Sequence, residues 1–179
     1  MTRIIANAVG YQVVWFVAVL AAARGAAWPG VAAAALFVAL QPAGPRGRAA
    51  DAALMAAALV AGVLLDGALV LSGLVTYAGH DAGWPAPAWI LAVWVAFAAT
   101  LERSLGFLRD RPLACALIGA IGGPLAWLAA SRLGAVALAD PAWMALAALA
   151  AGWAVVLPAL FALARRGVVL HAPAAGDVR

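Results

Sequence analysis

Few side chains in this sequence could do chemistry, because almost everything around them is apolar. Asp66 lies inside the uncharged stretch that follows Asp51. A carboxylate there could accept a proton or hold a cationic group. It could instead form one half of a structural ion pair with Arg24 or Arg132. An Asp or Arg at the centre of a membrane helix costs about 2.5–3.5 kcal/mol on insertion scales, so such a residue needs a partner or a use. His80 and Asp81 follow on a loop with Trp84, Pro85 and Pro87. With Asp66, Arg24 and Arg132 they form a candidate polar cluster facing the periplasm. A metal would need three or four converging ligands. One His and two carboxylates without motif spacing predict no metal, and no motif predicts a cofactor.

A second polar group lies toward the other side. Asn7 and Gln12 are five residues apart, about 140° around a helix. One narrow face cannot hold both, and hydrogen bonds between helices are the plain expectation for them. Glu102-Arg103 ends an apolar run. A loop ion pair or a helix-end cap is the plain reading, and a carboxylate working with Asn7 at a headgroup is the sharper one. Gly119, Gly122, Gly123 and Pro124 fall within one run. Gly119 and Gly123 have the spacing that lets two helices approach closely. Pro124 removes one backbone hydrogen bond and predicts a kink. The functional alternative is a broken helix lining a cavity. Ser72, Ser104 and Ser131 have no suitably placed His except His80 near Ser72, which argues against a Ser–His hydrolase. Cys115 is the lone cysteine; no intrachain disulfide can form.

The elements that must position these residues follow from composition. The 179 residues are 68% hydrophobic and 10% charged, with a mean hydropathy of +1.06. That is too little charge for the surface of a soluble domain, and a spanning helix needs about 20 mostly apolar residues. The sequence predicts an all-α membrane protein, a compact bundle of about six transmembrane helices over residues 4–23, 26–41, 49–74, 88–101, 113–133 and 141–164. Residues 1–166 form a single domain in this reading, and 167–179 form a flexible cytoplasmic tail. No internal repeat is evident, and the first run is too long and decorated for a cleavable signal peptide. All eleven basic residues are arginine. They are scattered over loops and form no basic stripe, which argues against nucleic-acid binding. Six spans with both termini inside put nine arginines in the cytoplasm and leave Arg24 and Arg132 outside, as the positive-inside bias requires. The same arrangement sets Trp28, Trp84 and Trp143 at the outer interface.

Several patches then carry a resemblance: Asn7, Tyr11-Gln12 and Trp15-Phe16; Asp66; Pro87-Ala88-Trp89 through Thr100-Leu101 with Ser104-Leu105; and Gly119 through Trp127 with Arg132-Leu133-Gly134-Ala135. Together they resemble an uncharacterised family of small bacterial inner-membrane proteins, a domain of unknown function, over most of the chain except the tail. At Trp127 the resemblance leads us to expect another aromatic such as Tyr. It implies a compact helical membrane protein and supplies no activity. The leading functional reading is a non-catalytic accessory that binds lipid or packs against a lipid-modifying or envelope enzyme. Its partners would be membrane lipids and a membrane enzyme, in a homo- or hetero-oligomer. The alternatives are a small proton-coupled transporter, and an intramembrane lipid enzyme using Asp66 or Glu102.

Overall fold

The computed structural model describes residues 1–45, 47–79 and 86–170, with side chains of the last helix described as far as Arg166. Six α-helices form the bundle: α1 (Thr2–Ala22), α2 (Trp28–Leu40), α3 (Arg48–Leu71), α4 (Ala88–Leu101), α5 (Pro112–Arg132) and α6 (Ala142–Leu170). A 3-10 turn, Gly106–Leu108, links α4 to α5. The all-α expectation holds, and the helices begin and end close to the apolar runs that predicted them. α6 extends to Leu170, four residues into the stretch expected to be tail.

α1, α3, α5 and α6 are long and apolar enough to cross a membrane. α2 and α4 are shorter, with 13 and 14 residues, or about 20 Å at 1.5 Å per residue. That is less than a hydrocarbon layer of about 30 Å. α4 is nevertheless the core of the molecule. Trp89, Ile90, Val93, Trp94, Ala96, Ala98, Ala99, Thr100 and Leu101 are all buried, and it packs on α1, α2 and α3. Because it is enclosed, it can be extended by non-helical backbone without exposing polar groups to lipid.

At one end that extension is a two-stranded antiparallel sheet that the hydropathy pattern did not predict. β1 (Val75–Tyr77) pairs with β2 (Val136–Leu138), matching Val75 with Leu138, Thr76 with Ala137 and Tyr77 with Val136. Both strands are launched the same way. After α3, the Gly73 and Leu74 amides bond back to Val70 and Leu69; after α5, the Gly134 and Ala135 amides bond back to Ser131 and Ala130. These are Schellman caps, and Gly73 and Gly134 take the positive φ (71° and 86°) that such a cap needs.

The two caps mark an internal repeat, which corrects the expectation of none. Counted back from each glycine, Gly62 matches Gly123 and Asp66 matches Trp127. Forward of the strands the count diverges: the tripeptide Pro-Ala-Trp stands at the start of each next helix, 87–89 and 141–143, but begins 14 residues after Gly73 and 7 after Gly134. The strand register obeys the same symmetry, since exchanging the two units turns the Val75–Leu138 pair into the Val136–Tyr77 pair. The flanking bonds exchange as well, Ala78 N–H to the Ala135 carbonyl for Ala139 N–H to the Leu74 carbonyl. The unit α3–β1–α4 therefore recurs as α5–β2–α6 about a pseudo-two-fold axis along the bundle. α1 and α2 are an additional hairpin packed against α4.

Neighbouring helices alternate in direction. Asn7, Gln41, Asp51, Glu102, Arg109 and Arg165 gather at one end through direct contacts. The strands and Gly25, which lies near Gly79, mark the other end. Arg3, Arg48, Arg103, Arg109, Arg111, Arg165 and Arg166 occupy the first end, and Arg24 and Arg132 the strand end.

Candidate functional site: an aromatic groove between α1 and α5

Asp66 is completely buried, and its carboxyl group meets neither arginine. One oxygen accepts from the Tyr77 hydroxyl, the other from Trp94 Nε1 at 2.6 Å. The Tyr77 oxygen in turn accepts from Trp127 Nε1 at 2.9 Å. The expected ion pair is thus replaced by neutral donors. Arg24 directs Nη1 to the carbonyl of Leu20 in its own helix, and Arg132 makes no hydrogen bond or ion pair among the described residues. Gly62, one turn before Asp66, makes the arrangement possible: a Cβ there would overlap the Trp94 indole. Tyr77 belongs to β1, outside the helices. Its hydroxyl donates to Asp66 while its oxygen accepts from Trp127, so it links α3 to α5. His80 and Asp81, the rest of the expected polar cluster, lie outside the described residues, as does Trp84. Trp28 and Trp143 stand exposed at the strand end.

The indoles that Asp66 holds are part of a larger surface. Trp94 stacks on Trp153 of α6, with ring centres 4.4 Å apart and planes 7° from parallel. Trp127 and Phe97 meet Trp153 edge-on, at 6.1 and 5.3 Å. Gly123 admits Trp153 as Gly62 admits Trp94, and a Cβ at Gly119 would overlap the Trp153 carbonyl. The close approach expected at Gly119 and Gly123 is therefore made to α6. At Gly119 the neighbour is backbone, and at Gly123 it is an indole. Gly122 points elsewhere, and a Cβ there would meet nothing within 4 Å. α5 is a continuous helix through Pro124, so the broken-helix expectation is not met.

These rings floor a cavity of about 820 Å³. The pseudo-symmetry explains its position. α3 packs against α6, but the symmetry-related contact of α4 with α5 is not among the principal ones. α4 and α5 stand apart, and α1 faces the gap with Tyr11, Trp15 and Phe16. Gln12 and Gly122 line it from opposite walls, and Thr100, Ser104 and Arg132 supply most of its remaining polarity. Asp66 is not among the lining residues. Its carboxylate instead bonds Trp94 directly and Trp127 through Tyr77.

The Glu102 end is tied by saturated contacts. Asn7 Nδ2 donates to Gln41 Oε1 (3.0 Å) and the Ala99 carbonyl (3.3 Å), and Oδ1 accepts from Ser104 Oγ (2.7 Å) and Ser104 N (3.3 Å). Those four bonds use the full capacity of the amide, so Asn7 is a pin joining α1, α2 and the α4 terminus. Glu102 pairs with Arg109 at 2.7 Å, and Arg103 pairs with Asp51 at 3.2 Å. Of the residues singled out in the sequence, Gln12 and Arg132 line the groove, Asp66 and Asn7 lie outside its lining, and Gly122, expected at a helix contact, faces open space instead; Tyr77, Trp94 and Trp153 were not singled out as site residues. The available signal was Gly62 one turn before Asp66, a gap that only a large neighbour fills.

Fold and site together define a helical bundle of membrane-crossing dimensions with an aromatic groove along one flank. The chain belongs to the family described as Protein of unknown function (DUF2878), whose model matches residues 4–159. No curated protein and no solved structure matches it significantly.

Proposed function

We propose that this is an integral membrane protein that binds the hydrocarbon chain of a lipid in the groove between α1 and α5, as a non-catalytic lipid-binding accessory. The observation that carries the reading is the groove itself, about 820 Å³ and walled by Tyr11, Trp15, Phe16, Trp94, Phe97, Trp127 and Trp153. That volume lies within the range of roughly 300–1,000 Å³ typical of small-molecule sites. Its long apolar wall suits a hydrocarbon chain better than a polar solute. The proton-coupled alternative loses its main support because Asp66 is enclosed by two donors and does not line the groove. The enzyme alternative loses Glu102 to its pairing with Arg109. We place the protein in a bacterial inner membrane with both termini cytoplasmic. The seven arginines at the Glu102 end against two at the strand end support that orientation.

The test is Gly122→Phe. A Cβ at this position meets open space, so a larger side chain can leave the helix there and project into the groove. The purified variant should keep its thermal stability and lose the lipid that the unaltered protein retains in native mass spectrometry. Undiminished lipid retention with normal stability would refute the groove as the binding site.

A further inference from the structure

We propose that the occupant of the groove is a single anionic phospholipid, with its phosphate at Arg132 and one acyl chain along the aromatic floor. The proposal rests on the lipid-binding reading and adds the headgroup and the direction. Arg132 is the charged residue among the lining side chains. It is exposed and has no hydrogen-bond or ion-pair partner among the described residues. It is not needed as a cap for α5, because Gly134 and Ala135 already bond the terminal carbonyls. Arg24, at the same end, is engaged with the Leu20 carbonyl.

Depth agrees with charge. From Ile118 to Arg132 the α5 wall runs 14 residues, about 21 Å, so the guanidinium stands at one mouth of a channel crossing most of a ~30 Å hydrocarbon layer. Among the described residues no charged side chain lines the groove at its other mouth. Ser104 Oγ there donates to Asn7. A guanidinium above an apolar channel complements an amphiphile with an anionic head, and its planar fork can hold a phosphate through two hydrogen bonds. An uncharged ligand would leave Arg132 without a partner among the described residues. A zwitterionic head would bring a second cation beside it.

The full chain in detergent should be titrated with phosphatidylglycerol and with phosphatidylcholine of identical acyl chains, counting bound lipid by native mass spectrometry. One phosphatidylglycerol should bind roughly tenfold tighter than phosphatidylcholine, the worth of one charge-assisted hydrogen bond. Arg132→Gln should bring the two lipids level by weakening only the anionic one, and Arg132→Lys should keep most of the preference. Gly122→Phe should weaken both lipids. Equal affinities in the unaltered protein, or a preference that survives Arg132→Gln, would overturn the headgroup assignment while leaving Gly122-sensitive binding intact. Binding indifferent to Gly122→Phe would overturn the groove reading and this proposal together.

Discussion

Asp66 shows what a buried acid needs at the scale of one residue. Both oxygens accept, one from an indole that can only donate and one from a phenol whose own oxygen already accepts from Trp127. Replacing the carboxyl with an amide removes one acceptor and adds a donor. If the amide oxygen kept Trp94, the amide NH₂ would face Tyr77, and the hydroxyl hydrogen would lose its acceptor. A buried group left without a partner costs about 1–3 kcal/mol. Asp66→Asn should therefore lower stability by about that much, measured by thermal unfolding in detergent, and Tyr77→Phe should do so comparably by stranding Trp127 Nε1. Neutralising Arg24 or Arg132 together with Asp66 should not restore it; restoration would show that an ion pair had been operating after all. Asp66 was legible in the sequence because a carboxylate in an apolar run is conspicuous. Its partners were not, because a composition count groups Trp and Tyr with the apolar residues and hides their single donors.

At the scale of helices, α5 presents three glycines with different surroundings. Gly119 meets the Trp153 carbonyl, Gly123 meets the Trp153 indole, and Gly122 meets open space. Gly119→Leu should destabilise most, because backbone cannot step aside. Overpacking typically costs about 1–3 kcal/mol, and this site should lie at or above the top of that range. Gly123→Leu should lie within it, and Gly122→Leu should be near neutral. Thermal unfolding of the three variants decides the order, and a destabilised Gly122→Leu would show that this wall is closed rather than open. The helices themselves were readable because apolar runs of helical length are strong signals. The strands were not, since three residues carry no period, and the groove was not, since its walls come from four helices distant in the chain. The repeat was not legible because it is held by a few positions, chiefly Gly62 and Gly73 with their counterparts Gly123 and Gly134, against a background of Ala, Leu and Val.

For the whole molecule, alternating helices and the uneven distribution of arginine lead to one expectation. Reporter fusions after Arg48, Arg111 and Arg166 should all report cytoplasm, and a fusion after Ala137 should report the opposite side. A reporter at Arg111 that agrees with Ala137 would refute the six-crossing arrangement. The short α4 makes this a demanding test, because it must change sides within 14 residues and relies on its neighbours for the remaining depth.

The repeat also bears on how such a molecule could have originated. A chain carrying one copy of the helix–glycine–strand–helix unit would have an unpaired strand edge and an indole facing out. Two such chains, inserted in the same orientation, would satisfy both needs across a two-fold axis, strand on strand and Trp on Trp, as closed dimers do. Joining the copies end to end preserves that pairing and releases the halves from being identical. An acid stands at position 66 and an indole at the equivalent position 127, and one of two equivalent helix contacts has opened into the groove. The proposed binding groove thus lies where the two halves depart from their symmetry.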